Sequence, residues 1–238
     1  MKKKRIELFT VDHILLVVCI LLCSISMVQA GVSIREQMQN KVTSLSTLQD
    51  FYITYFKPYE RRYIIQYTPE YLEKFGVQEV PAWFVAALDS ALDSPYDRLA
   101  ISAINCIGQL NLSSFNEKLT KAFVAVSPKK TNYSAPLRMA ILQSMHGFPV
   151  DNIQKTLPIL LKGYPEQLIR DPVFEKLMEL SIQFGDNRVA TEIERFDVYT
   201  KNRAFLNKDK PDYREYQKIV DLVSKTKNAV AQKGGIHE

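Results

Sequence analysis

Histidine and cysteine are scarce in this 238-residue chain, at three residues each. That is too few for a disulfide framework or a zinc module. Glycine is sparse too, at eight residues; a dinucleotide-binding sheet or a turn-rich β-barrel usually needs more, so the composition leans towards helices. No C-x-x-C pair, G-x-S-x-G elbow or G-x-x-x-x-G-K-[ST] loop occurs. What is present is ordinary. A hydrophobic fraction of 46% and a charged fraction of 24% exclude a fully disordered chain, a collagen and a multispanning membrane protein. The length fits one domain or two small ones.

The N-terminus reads as an address. Lys2, Lys3, Lys4 and Arg5 form a basic head. An apolar run then extends from Ile14 to Val28, interrupted only by Ser24 and Ser26, and Val28 and Ala30 stand two apart before Gly31. Head, apolar middle and small-x-small exit are the parts of a secretory signal peptide, so cleavage is expected after Ala30. As a helix this run of 15 residues would span about 22 Å, short for a bilayer core of about 30 Å. Retention of residues 14–28 as a membrane anchor, with the body outside the cytoplasm, is the alternative. Cys19 and Cys23 follow the bulky Val18 and Leu22, which does not fit a lipoprotein cleavage site; they read as apolar members of the signal core.

Without residues 1–30 the chain keeps 27 basic and 24 acidic residues, a net charge of +3. This weak, scattered excess gives no basic stripe for nucleic acid. Cys106, beside Ile104 and Ile107, reads as a buried, inert thiol. His146 is the histidine left for the folded body. Its place before Gly147 suggests a cation favourable to a helix C-terminus. Asp89 with Asp93 and Glu175 with Glu179 are one helical turn apart, a spacing common on solvated helix faces. Arg61-Arg62 and Lys129-Lys130 read as loop charges. No residue is assigned to catalysis, no cofactor or metal is called for, and no small-molecule substrate is evident.

From Pro81 onwards the chain reads as short amphipathic helices, and the fold class is all-α. Expected starts are Ser94-Pro95 with Asp97 three residues on, Ser114 with Glu117, Asp151, and Asp171-Pro172, each offering an N-cap, a near capping box or an N1 proline. Leu119, Ala122, Phe123 and Val126 form one apolar stripe; Leu177, Leu180, Ile182 and Phe184 approximate another. The helices repeat. Arg98, Ala100 and Ile101 match Arg138, Ala140 and Ile141 at 40 residues. Phe115, Leu119 and Phe123 match Ile153, Leu157 and Leu161 at an offset of 38. Gly108, Gly147 and Gly185 stand 39 and 38 apart, where left-handed helix closures are expected.

This pattern resembles HEAT repeats of the short bacterial kind, over about residues 81–197. Asp93, Pro95, Arg98, Ala100, Ala103 and Gly108 carry the first repeat, and Pro136, Arg138, Ala140 and Gly147 the second. Asp171, Pro172 and Gly185 carry a third, in which Glu175 stands where the arginine belongs, as in a degenerate capping repeat. The resemblance implies a superhelical α-solenoid, armadillo-like in class, that binds other proteins and has no catalytic residues.

The flanks differ. Phe51, Tyr55, Tyr59, Tyr63, Tyr67, Tyr71 and Phe75 recur every four residues, and with Tyr52 and Phe56 they make nine of the chain's 25 aromatics. Pro58 and Pro69 preclude one straight helix, so helices are expected at 34–57, 59–67 and 69–75. The tyrosines either cap the first repeat with buried rings or form an interaction surface at Tyr55, Tyr59, Tyr63, Tyr67 and Tyr71. Residues 207–211 read as a linker, followed by a helix over 212–231 with Tyr216, Ile219, Val220 and Val223 on its apolar side and a frayed tail. The expected organisation is therefore a signal at 1–30, an aromatic helical cap at 31–80, repeats at 81–200 and a C-terminal helix. The expected function is a non-enzymatic scaffold in the periplasm or outside the cell, partnered by another protein; the alternatives are an envelope assembly factor tethered through an uncleaved N-terminal segment, which would be its only membrane contact, and a hydrolase on a solenoid platform, for which no residues are named.

Overall fold

A computed structural model describes residues 34–125 and 134–234, which are helical with no strand among them. The N-terminal segment with His13, Cys19, Cys23, Val28 and Ala30, together with Val126, Lys129, Lys130 and His237, lies outside the described residues. The chain divides into two compact units between Ala86 and Ala87.

The first unit contains α1 (34–41), α2 (Leu45–Thr54), α3 (Pro58–Lys74) and the start of α4 (Ala82–Leu92). Two expectations need correction. The helix expected over 34–57 is broken at Ser44, because Ser44 and Thr47 form a reciprocal capping box that starts α2 afresh. Ser44 Oγ accepts the Thr47 N–H at 3.3 Å, and Thr47 Oγ1 accepts the Ser44 N–H at 2.9 Å. Conversely, Pro69 does not end a helix; it lies inside α3. Proline removes a donor from the helical ladder, yet Ile64, Ile65, Thr68, Pro69 and Leu72 are all buried around it, and packing of this face outweighs the lost bond. The helix stops at Lys74. Gly76, at φ 65°, takes the left-handed position, and Val77 N–H reaches back to Leu72 O at 2.9 Å, a Schellman closure.

The second unit contains the rest of α4, then α5 (Asp97–Gln109), α6 (Asn116–Ala125), α7 (Ser134–Ser144), α8 (Val150–Gly163), α9 (Pro172–Phe184), α10 (Ala190–Leu206) and α11 (Tyr213–Gly234). Helices pack on their next-but-one neighbours. One row runs α5 on α7, α7 on α9 and α9 on α11; the other runs α6 on α8 and α8 on α10. α10 and α11 also pack closely as a hairpin. An aromatic series passes through the core: Phe123 to Tyr164, Tyr164 to Phe174 and Phe174 to Phe196, with centroids 6.3, 5.8 and 5.0 Å apart. The six residues matched at an offset of 38, from Phe115 to Leu161, are all buried. Their carbonyls are treated alike at one position: Arg138 Nε donates to Phe123 O at 3.1 Å, and Arg195 Nη2 donates to Leu161 O at 2.7 Å. Arg98 and Arg138, matched at 40 residues, differ, since Arg98 is exposed and Arg138 buried between the rings of Phe123 and Tyr164.

Of the expected helix starts, Asp171-Pro172 forms as anticipated; the Asp171 carboxylate accepts the Val173 N–H at 2.9 Å with proline at the first position. The others move. Ser94 Oγ accepts the Tyr96 N–H at 3.1 Å, which makes a turn, and α5 begins only at Asp97. Ser114 lies in a 3-10 turn, Ser113–Phe115, and Glu117 pairs with Lys121 instead of closing a capping box. Asp151 falls in the first turn of α8, and Pro149 takes the cap position. Short hydroxyl and 3-10 turns satisfy the same backbone donors that an N-cap would.

The three spaced glycines do not adopt the left-handed conformation. After α5 that position belongs to Asn111, at φ 52°, with Leu112 N–H closing on Ile107 O at 2.9 Å. What the glycines permit is close approach. A Cβ on Gly108 would stand 2.7 Å from Ser144 Cα on α7, and one on Gly147 would stand 2.0 Å from the Asn111 side chain. With its amide nitrogen turned inward, Asn111 donates to Gly147 O at 3.0 Å and to Gly108 O at 3.1 Å, which ties the ends of α5 and α7 together.

Candidate interaction surfaces

In the first unit the aromatic series does not stay on one face. Tyr59, Tyr63, Tyr67 and Tyr71 lie on α3, whereas Tyr55 terminates α2. A four-residue step on a helix of 3.6 residues per turn advances about 40°, so the direction has swung about 120° between Tyr59 and Tyr71. Exposure follows: Tyr59 is 41% exposed, Tyr63 and Tyr67 are half-buried, and Tyr71 is 7% exposed. Tyr55 is half-buried, and its hydroxyl donates to Gln37 Oε1. Cations cover the rings. Arg35 lies over Tyr67 at 5.1 Å, Arg61 over Tyr52 at 5.1 Å and Arg62 over Tyr63 at 4.4 Å. Arg61 and Arg62 are thus helical and stacked rather than loop charges, and Arg61 Nε also donates to Tyr55 O at 2.8 Å. Among the described residues of this unit the least covered large apolar side chains are Ile53, Phe56 and Tyr59, around the α2–α3 turn.

In the second unit, α6 and α8 leave a groove of about 600 Å³ between their outer faces. Thr120, Val124, Thr156 and Ile159 line it, together with Glu117, Lys121 and Lys155, and Glu117 pairs with Lys121 at 2.6 Å. Val124 and Ile159 are exposed. Gly163 allows Val124 to lie here, since a Cβ on it would come within 2.8 Å of Val124 Cγ2. Asn116 fixes the spacing of the two helices. Its Nδ2 donates to Thr156 Oγ1 at 2.6 Å and to Asn152 O at 3.3 Å, while its Oδ1 is buried without a hydrogen-bond partner among the described residues. Periodicity pointed away from this groove, because it selects the buried faces of α6 and α8. The available signal was Ile159, an apolar residue off the face made by Ile153, Thr156, Leu157, Leu160 and Leu161.

No family model, curated protein or solved structure matches the chain.

The chemically interesting side chains are engaged locally. Burial pushes the Cys106 thiol up to about 12, which suppresses the nucleophilic thiolate at neutral pH. His146 is exposed and meets Phe184 edge-on at 6.1 Å. Desolvation, helped by Lys176, holds it below the ordinary imidazole value, which works against the cation expected at this helix end. Lys118 Nζ bridges Asp89 and Asp93, at 2.8 Å to each, and Glu179 pairs with Lys176 at 2.9 Å. No group of three His, Cys, Asp or Glu among the described residues could hold a metal ion. Among the described residues the most deeply buried carboxylate is Asp197 on α10. Lys201 and Lys227 reach its Oδ2 at 2.8 and 3.3 Å. Burial raises its pKa, but the two ammonium groups outweigh burial and leave the carboxyl below its ordinary value. Because Lys227 lies on α11, this carboxylate clamps the α10–α11 hairpin.

Proposed function

We propose that the chain is an exported, non-enzymatic helical-repeat scaffold of the HEAT-like solenoid type, whose α6–α8 groove receives an amphipathic helix of another protein. The observation that carries this reading is the groove itself: exposed Val124 and Ile159 form an apolar floor beside Lys155 and the Glu117–Lys121 ion pair. An apolar helix face is the complement of such a floor, and an acidic residue beside that face complements Lys155, the lysine outside the Glu117–Lys121 pair. The next-but-one packing from α5 to α11 supports the repeat assignment, because stacked helical hairpins bury a continuous core and leave extended surfaces free.

Export remains part of the proposal through the basic head, the apolar run 14–28 and the Val28-x-Ala30 exit. A second reading retains that segment as a tether. Among the described residues no helix is long and apolar enough to cross a membrane, so a tether would rest on residues 14–28. N-terminal sequencing of the exported protein separates the two, with Gly31 expected first for cleavage and Met1 for retention.

The binding test uses two labelled helical peptides with the same leucine face, one flanked by glutamates and one by lysines. The acidic peptide should bind more tightly than the basic one. Ile159→Asp should abolish binding while circular dichroism stays unchanged. Equal binding of both peptides, or binding that survives Ile159→Asp, would overturn the assignment of the groove.

A further inference from the structure

The turn between α10 and α11 carries an exposed apolar tip that the scaffold reading does not use. Phe205 is 70% exposed, Leu206 65% and Tyr213 37%. Burying the apolar parts of such side chains is favourable, yet here the fold holds them out. The turn is ordered by its own bonds: Asn207 Nδ2 donates to Arg203 O at 2.7 Å, Lys210 N–H to Asn207 O at 2.9 Å and Tyr213 N–H to Lys210 O at 3.1 Å. Arg170, from the segment before α9, pairs with Asp212 and Glu215 and so fixes the first turn of α11. Asp197, with Lys201 and Lys227, fixes the hairpin further down. The apolar tip is therefore presented on a rigid base.

Positive charge is in excess around it. Arg203, Lys208, Lys210 and Arg214 are exposed around the tip, against Asp209, Asp212 and Glu215, of which Glu215 pairs with Arg170; Arg203 Nε also donates to the Tyr199 hydroxyl at 3.0 Å, and Lys208 Nζ lies 5.5 Å from the Phe205 ring centroid. Asp212 is already engaged by Arg170. We propose that this turn is a contact for an anionic bilayer surface: Phe205 and Leu206 enter the headgroup–acyl boundary, Tyr213 sits at headgroup level, and the four cations meet lipid phosphates. Each part has a physical warrant. Aromatic rings with a polar tip favour the membrane interface, long cationic side chains keep their heads in the polar layer while their stems lie along apolar surface, and basic clusters are drawn to anionic leaflets. An exposed turn suits a planar surface, unlike the concave α6–α8 groove. A nucleic acid would leave Leu206 unused, and a protein partner is the outcome that the test must separate.

The test uses the full chain carrying Phe205→Trp, with the parent, whose single tryptophan is Trp83, as reference. Vesicles contain lipids brominated in the acyl chains, either phosphatidylcholine alone or phosphatidylcholine with phosphatidylglycerol. Because the comparison reads residue 205, vesicle attachment through residues 14–28 does not by itself produce the signal. The expected result is quenching beyond the parent's on the phosphatidylglycerol vesicles, weakening as salt rises. Adding Lys208→Glu and Lys210→Glu should raise the lipid concentration needed by roughly tenfold or more. The salt series on the singly substituted chain keeps the test decisive if the charge-reversed chain misfolds. No excess quenching on either vesicle overturns the proposal, as does equal quenching on both. So does a shift of the residue-205 emission with protein concentration alone that Leu206→Ser removes, because the tip would then be a contact between copies of the chain.

Discussion

Replacing Gly108 by alanine tests the packing of the second unit, because two effects of opposite sign meet there. Gly108 lies inside α5, one residue from its end. On propensity alone, alanine in a helix should stabilise by up to about 1 kcal/mol. Against this, the new methyl would lie 2.7 Å from Ser144 Cα, 2.8 Å from Ser144 Cβ and 3.2 Å from Ser144 O on α7. Carbon atoms prefer separations of about 3.5–4.0 Å, so α5 and α7 would have to part by about 1 Å. Two of these three atoms belong to the backbone, which cannot swing away as a flexible side chain would. Parting would also stretch the Asn111 bonds to Gly108 O and Gly147 O, now 3.1 and 3.0 Å. Overpacking of this kind costs about 1–3 kcal/mol. The net expectation is a loss of about 1–2 kcal/mol, or roughly 3–6 °C in the thermal midpoint for a unit of this size. Thermal melts of the full chain followed by far-UV circular dichroism give the answer. Ser144→Gly added to Gly108→Ala should restore only part of the loss, since it relieves the clash with the serine side chain and leaves the clash with the backbone of residue 144. A Gly108→Ala chain that melts at or above the parent would refute the close approach of α5 and α7.

Two further perturbations read other parts of the structure. Tyr71→Ala should cost about 2–4 kcal/mol through lost burial and a cavity, whereas Tyr59→Ala should stay within about 0.5 kcal/mol, because the first ring is buried and the second is 41% exposed; equal losses in urea melts would contradict the rotation of the aromatic series along α3. Asp197→Asn should destabilise the chain by about 1–3 kcal/mol at neutral pH by removing the charge that Lys201 and Lys227 meet. Its carboxyl lies below the ordinary carboxylate value of 3.8, so its contribution is complete above that value and fades as pH falls through the folded pKa. The gap between parent and variant should therefore close in acid, and a gap equally wide at pH 7 and at about pH 3 would contradict the clamp.

Burial was the most legible property in the sequence, and loop chemistry the least. The offset of 38 residues between Phe115-Leu119-Phe123 and Ile153-Leu157-Leu161 selects side chains that are all buried, because helical periodicity reports which face meets the core. Asp171-Pro172 predicted its helix start to the residue. Ser94 misled because a hydroxyl satisfies a backbone donor equally well in a turn as at an N-cap, and Ser114 because a 3-10 turn over Ser113–Phe115 precedes α6. The glycine spacing was visible, but its reason lay in tertiary structure. Nothing local distinguishes a glycine that closes a helix from one that admits Ser144 of another helix, and the left-handed closure had passed to Asn111. The α6–α8 groove was hidden for the opposite reason, since periodicity ranks the buried stripe and leaves Val124 and Ile159 among the residues on the solvent side. On α3 the four-residue spacing left buried cap and exposed surface as alternatives, and the 3.6-residue turn carries the series from solvent into the core.

Hydrogen–deuterium exchange of the full chain with and without the acidic helical peptide tests the central claim most directly. If the α6–α8 groove is the binding surface, peptide should slow exchange over residues 116–125 and 150–163 and leave α2 and α3 unchanged, and Ile159→Asp should abolish the protection. Protection centred on the tyrosines of α3, or none at saturating peptide, would contradict it.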